Sequence, residues 1–378
     1  MSDFQYLTDF LEPVSLAALS QDEGYRDGQI GKAMQVYDDE LPNIEAASVI
    51  IVGCPEYRGE MTRPSGINGP NEIRRQFYQL FSWHRDLTIA DIGNVRIGST
   101  LNDTFAALRM IIRDLNEAGK SVVVLGGSHD LALSQYYAYA ESKQIIEVVS
   151  IDAKIDLSLD SHFRSESFLM EMLTGEPNFI RHYSHIAFQS YLAHPRMLET
   201  MDKLRFDCFR LGHVRDNIEE MEPVIRHAKM VSFDISAIAN AYAPANKLSP
   251  NGLTGEDACT LTRFAGLSTQ VQSLGIYGYN PTNDTDALTA MQISHMLWYF
   301  LDGRSRGLRE ATLDDKQFFN EFHTAFAEVE TTFLQSKKTG RWWMRLPDNN
   351  FIPCSYNDYL LASSNEIPER WLRAQERS

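Results

Sequence analysis

Three short stretches carry groups able to hold a metal ion or move a proton: Gly126-Gly127-Ser128-His129-Asp130, Asp152-Ala153-Lys154-Ile155-Asp156 and Asp234-Ile235-Ser236. Residues that leave a strand at i, i+2 and i+4 point to one side. Asp152, Lys154 and Asp156 can therefore face one cavity, and Asp234 and Ser236 do the same from a second strand. One aspartate at a strand end is usually a helix cap. Three carboxylates and an imidazole converging on one place are instead a donor set of hard oxygen and borderline nitrogen, suited to Mn(II), Fe(II), Zn(II) or Mg(II).

Convergence requires a scaffold, and the apolar pattern supplies it. Continuous runs rich in β-branched residues at 49–53, 122–125, 148–151, 186–188, 230–233 and 274–277 predict strands buried on both faces. Phe105, Leu108, Ile111, Ile112 and Leu115 fall on one 3.6-period stripe before the second run, a helix feeding a strand. Helix-length segments separate the remaining runs, which predicts an α/β fold, a three-layer, doubly wound parallel sheet. Ligands in such sheets bind at the carboxyl ends of the strands, where the three motifs lie.

The order of motifs resembles the arginase, agmatinase and formimidoylglutamase superfamily. The resemblance begins at Arg63-Pro64-Ser65-Gly66-Ile67-Asn68-Gly69-Pro70 with Ile73-Arg74, and runs on through Gly-Gly-x-His, Asp-Ala-x-x-Asp and Ser232-x-Asp234. It continues through Ala243-Pro244, Gly252-Leu253-Thr254 and Asn280-Pro281, covering about Ser48 to Gly303 and coming nearest to formimidoylglutamase-like members. It implies an arginase-like fold and a pair of manganese ions that activate a hydroxide for attack on the central carbon of a guanidino or formimino group. Carried over position by position, the family's ligands fall on His129, Asp152, Lys154, Asp156, Asp234 and Ser236.

Two of these six positions hold substitutions. The family's Asp-x-His-x-Asp reads Asp152-Lys154-Asp156, and its Asp-x-Asp reads Asp234-Ser236. The resemblance assigns His129, Asp152, Asp156 and Asp234 to a first metal and positions 154 and 236 to a second alone. One site thus keeps its whole set while the other loses both private ligands. Three carboxylates and one ammonium leave two negative charges, which one divalent ion neutralises, and the flexible stem of Lys154 can place its ammonium at the second position against Asp152 and Asp234. Without a metal, raised carboxyl pKa values or a protonated His129 must relieve the charge. The family's Glu-x-Asn-Pro, whose glutamate holds the substrate's cationic nitrogen, reads Gly278-Tyr279-Asn280-Pro281, and Gly278 cannot form that ion pair. Two readings stay open: a hydrolase of a linear amidine with one divalent ion (manganese, alternatively zinc or iron), or an inactive structural or ligand-sensing member with none. The partner in either case is a small molecule, and the family resemblance implies a homo-oligomer.

Residues 1–47 read as a peripheral cap, with Leu7, Phe10, Leu11, Leu16 and Leu19 at helical spacing; 48–303 as one large α/β domain; and 304–378 as an aromatic-rich extension packed on it. The last core helix is expected from about Asp284 to Leu301, capped at Asp302-Gly303. A net charge of −16 argues against nucleic-acid binding. No apolar run is long enough for a membrane span, the amino terminus lacks a signal-peptide pattern, and Cys54, Cys208, Cys259 and Cys354 have no metal-ligand spacing. A cytoplasmic protein is expected. Among the remaining histidines, His162 is nearest in sequence to the Asp152–Asp156 motif and is the candidate proton shuttle.

Overall fold

The computed structural model describes residues 4–20 and 24–376. Within each apolar run the side chains alternate between two cores. Val49, Ile51, Val123, Leu125, Val149, Ile151, Val231 and Phe233 pack on one side of a sheet, while Ile50, Val52, Val122, Val124, Val148 and Met230 pack on the other. A strand buried on both faces needs apolar residues at every position, which is why these runs do not alternate with polar ones.

Among the described residues the sheet has ten strands: β1 (Leu11–Glu12), β2 (Gln35–Val36), β3 (Val49–Cys54), β4 (Ile89–Val95), β5 (Ser121–Gly126), β6 (Ile146–Ile151), β7 (Ile180–Phe188), β8 (Asp207–Arg210), β9 (Met230–Asp234) and β10 (Ser273–Tyr277). Their order is β1-β4-β3-β5-β10-β9-β6-β7-β8, with β2 also on β4. All pairings are parallel except β1 with β4. Helices Leu101–Glu117 and Ala132–Glu141 bury Leu108, Ile111, Leu115, Tyr136 and Tyr139 against one face. Helices Gly69–Phe77, Gly255–Leu267 and Leu288–Gly307 bury Ile73, Phe77, Leu261, Phe264, Ile293 and Phe300 against the other. The expected three-layer arrangement is what the chain adopts. Among the described residues no helix is long and apolar enough to cross a membrane.

Four elements depart from expectation. The last core helix begins at Leu288 and runs on to Gly307, through the anticipated cap. A Cβ on Gly303 would lie 2.2 Å from the Arg263 carbonyl oxygen, and one on Gly266 2.0 Å from that of Phe300. Glycine here permits two helices to touch backbone to backbone. Strand β4 was hidden by its Asp91, Gly93 and Asn94; all seven of its residues are buried. The fully buried Arg74 makes this tolerable, with Nε and Nη2 each donating to Asp91 at 2.8 Å and Nη2 also donating to the Gly93 carbonyl. The amino-terminal segment is only partly helical: it lends β1 and β2 to the sheet edge beside a short helix at Leu16–Leu19. Finally, the aromatic carboxyl-terminal segment forms an antiparallel sheet, β11 (Phe319–Phe326), β12 (Val329–Ser336), β13 (Trp342–Arg345) and β14 (Phe351–Cys354), followed by two helices.

That segment buries Phe326, Phe333, Trp342, Met344 and Trp371 in a core of its own. It is tied to the main domain by arginines. Arg226 donates to the Trp342 carbonyl at 2.8 Å and lies 4.5 Å over the Trp343 ring. Arg341 donates to the Leu267 carbonyl at 3.0 Å and pairs with Glu310 at 2.9 Å.

Candidate metal centre

The strands β5, β10, β9 and β6 are consecutive in the sheet, so the loops at their carboxyl ends are neighbours. Gly127 lets the β5 loop tuck under the β3 loop, because a Cβ there would lie 2.2 Å from the Glu56 carbonyl oxygen. A tight turn at His129–Leu131 then points the His129 ring across the ends of β9 and β6. Asp234 ends β9 and Asp152 follows β6. Together they line a cavity of about 180 Å³ whose wall includes Tyr57, Glu60, His129, Asp152, Lys154, Asp156, Asp234, Ser236, Lys247 and Gly278.

At its base, His129 Nδ1 lies 3.0 Å from Asp156 Oδ2, 3.2 Å from Asp152 Oδ2 and 3.6 Å from Asp234 Oδ2. The donor atoms of His129, Asp152 and Asp156 all lie within 4.8 Å of one another. A divalent ion bonded at about 2.1 Å holds its ligand atoms about 3.0 Å apart at a right angle and about 3.4 Å apart in a tetrahedron. The separations from His129 Nδ1 bracket those values, so His129, Asp152 and Asp156 fit a single ion, with Asp234 beside them. His129 Nε2 is 2.7 Å from Ser232 Oγ, and a proton on Nε2 donated to that hydroxyl leaves the Nδ1 lone pair facing the carboxylates. His185, also buried, is 3.1 Å through Nε2 from the Asp152 carbonyl and 2.9 Å through Nδ1 from Tyr183 Oη. A carbonyl only accepts, so Nε2 bears the proton and the ring fixes the main chain of Asp152.

The electrostatics show what these groups do without a cation. Burial opposes ionisation of Asp156, and the charge of Asp152 adds to it, pushing the Asp156 carboxyl up to about 8. The same two causes raise Asp234 to about 6. Burial alone would lower the His129 pKa, but hydrogen bonds with Asp152 and Asp156 outweigh it and hold the imidazole well above its ordinary value. For Asp152 burial is likewise outweighed, by His129, and its carboxyl is held below the usual range. One protonated imidazole among three crowded carboxyls is the arrangement that a divalent cation would replace.

The two substituted positions lie in the same wall. Ser236 Oγ donates to Asp152 Oδ1, and the Ser236 amide donates to Asp234 Oδ1 at 2.7 Å. Lys154 departs from the expected contact with Asp152 and Asp234: its ammonium is paired with Glu166, at 3.1 Å, and only its main-chain amide reaches Asp152 Oδ1, at 3.0 Å. The nearby acids still govern its charge. Burial acts to lower the Lys154 pKa, and the fields of Asp156 and Asp152 overcome it, leaving the ammonium firmly charged. Gly278 has φ +77°, and a Cβ there would lie 2.5 Å from Asp234 Oδ2, so the carboxylate of Asp234 occupies the space a side chain would need. His162, the candidate shuttle, is exposed and does not line the cavity.

Sequence reasoning passed over Glu60, Glu166 and His185. Glu60 accepts from Ser165 Oγ at 3.2 Å in the cavity wall. Neither glutamate stands directly at a strand end, so strand-end position gave no signal for them. His185 sits on β7 at the position paired with Ser150 of β6, two residues before Asp152. A histidine one strand away from a ligand loop was the available clue.

The Arginase family model matches residues 47–302. The formimidoylglutamase of Hahella chejuensis is 25% identical over 270 residues, 65% of this chain and 82% of that protein. The formimidoylglutamase of Staphylococcus aureus is 28% identical over 244 residues, 62% of this chain and 78% of the relative. In three dimensions the chain is similar to Trypanosoma cruzi formiminoglutamase crystallised with Mn2+, at a TM-score of 0.64 and 17% identity over 78% of this chain and 99% of that one. It is also similar to Bacillus subtilis formimidoylglutamase, at 0.66 and 16% over 76% and 95%.

Proposed function

The chain belongs to the arginase family and is formimidoylglutamase-like, and from that premise we propose that it hydrolyses a C–N bond of a small linear amidine, guanidino or formimino, using one divalent metal ion. His129, Asp152, Asp156 and Asp234 would hold the ion. The observation that carries the reading is the approach of His129 Nδ1 to three carboxylate oxygens at 3.0, 3.2 and 3.6 Å. A divalent ion bound by such a set, manganese by analogy with the relatives, supplies a Lewis acid and lowers the pKa of water toward neutrality.

The chain's own residues prepare the site. Ser232 and His185 fix the His129 ring and the Asp152 main chain, so the donors need little rearrangement. Ser236 and Lys154 stand at the second metal positions of the family, the first as a hydrogen-bond donor to Asp152 and the second as a fixed positive charge. Cys54, Cys208, Cys259 and Cys354 are free thiols, which suits a reducing cytoplasm.

A second reading, an inactive ligand-sensing member, is favoured by one observation: Asp234 fills the space that a side chain at Gly278 would need, where the family has a substrate-binding glutamate. Release of urea from guanidino compounds, or of formamide from formimino compounds, together with the free amine in each case, measured with manganese-loaded protein across a panel, separates the two. Manganese-dependent turnover of any member supports the hydrolase. No manganese-dependent turnover across the panel refutes it in favour of the second reading.

A further inference from the structure

Lys154 lies in the cavity wall with Asp152 and Asp156, its main-chain amide 3.0 Å from Asp152 Oδ1, yet its ammonium is turned to Glu166, 3.1 Å away and outside that wall. Glu166 is itself fixed. Its second oxygen accepts from Ser161 Oγ at 2.6 Å, and its main-chain carbonyl accepts from the Ser158 amide at 3.0 Å. The lysine stem has four rotatable carbons and no contact of that kind. Asp152 and Asp156 flank Lys154 in sequence and share its cavity wall, so the ammonium has a second set of acids nearby, and the anchored glutamate decides between them.

We infer that Glu166 is a positioning residue that holds the Lys154 ammonium outward and so leaves Asp152 and Asp156 free to take a divalent cation. The inference rests on the single-ion reading above. With Glu166 neutral, the ammonium turns inward onto Asp152 and Asp156 and competes with the ion, and its charge repels the ion without compensation. Lys154 and Glu166 thus act as one unit. Glu166 has no direct part in binding the metal, and its effect requires Lys154.

The test is a double-mutant cycle read by manganese affinity. Wild type, Glu166→Gln, Lys154→Met and Lys154→Met/Glu166→Gln are titrated with Mn2+ against a chelating indicator at fixed pH, after circular dichroism has verified that each is folded. Glu166→Gln is expected to weaken binding about tenfold or more when Lys154 is present, the scale of one uncompensated charge near the site. In the Lys154→Met background the same change is expected to alter affinity by less than about twofold. An equal loss in both backgrounds, or no loss in either, overturns the inference while leaving the single-ion reading standing. If wild type and all three variants bind no manganese, the single-ion reading fails and the inference falls with it.

Discussion

Replacing Gly303 by alanine tests the helix crossing that supports the sheet behind the site. In an isolated helix the change stabilises by about 1 kcal/mol, because glycine is a poor helix former. Here the new Cβ would lie 2.2 Å from the Arg263 carbonyl oxygen, whereas a carbon and a carbonyl oxygen ordinarily approach no closer than about 3.3 Å. The blocking atom is backbone and cannot rotate away, so the helices Gly255–Leu267 and Leu288–Gly307 must separate by about 1 Å. Overpacking of this kind costs roughly 1–3 kcal/mol, and rigid backbone on both sides puts this case at the upper end, leaving a net loss of about 2 kcal/mol. Gly212→Ala is the control, since Gly212 lies in the short helix Leu211–Asp216 with nothing within 4 Å of the new Cβ. Urea unfolding at constant m should show a lower midpoint for Gly303→Ala and an unchanged or higher one for Gly212→Ala. A midpoint for Gly303→Ala equal to or above wild type would refute the close crossing.

Three further outcomes follow from the site and the carboxyl-terminal junction. Lys154→His with Ser236→Asp should raise bound manganese from one ion per chain to two, and should lower stability in chelator because a carboxylate then faces Asp152; binding that stays at one ion would show that the substituted positions are not what excludes the second. Gly278→Ala should lower both the melting temperature and manganese affinity, since φ of +77° costs a non-glycine residue about 1–2 kcal/mol and the methyl group displaces Asp234; unchanged values of both would contradict the placement of Asp234. At the junction, burial opposes ionisation of Glu310, but hydrogen bonds from Ser336 and Thr339 and the charge of Arg341 hold its carboxyl below the ordinary value. A depressed carboxyl contributes stability above its unfolded pKa and loses it as pH falls through the folded one. Wild type should therefore lose stability on acidification below about pH 4.3 more steeply than Glu310→Gln; parallel acid limbs would count against this role.

The candidate metal-binding positions could be proposed from the sequence because metal chemistry uses few residue types and the strand runs fix where they emerge. The strand ends pointed to His129, Asp152, Asp156 and Asp234 as a candidate donor set, and the family resemblance gave each its expected role. The direction of Lys154 could not be proposed in this way, since it depends on Glu166, a residue in a one-turn 3-10 helix too short for any periodicity to mark. Strand β4 was missed because its polar residues do not read as a buried strand; they are satisfied by Arg74 from the helix that precedes it, a contact that no periodicity marks. Gly303 reads as a cap or as a contact equally well, because sequence shows the missing side chain but not the neighbouring backbone. The carboxyl-terminal sheet was read only as aromatic surface in need of cover; its core is built from aromatic pairs such as Phe326 with Trp371 and Phe333 with Tyr359.

The most direct measurement is the metal content of the intact chain by elemental analysis after loading with manganese and removal of free ion. One complete set at His129, Asp152, Asp156 and Asp234 beside a lysine-bearing second position predicts one ion per chain in wild type and none in His129→Ala. Two ions per chain in wild type, none at all, or one ion that survives the loss of His129 would contradict it.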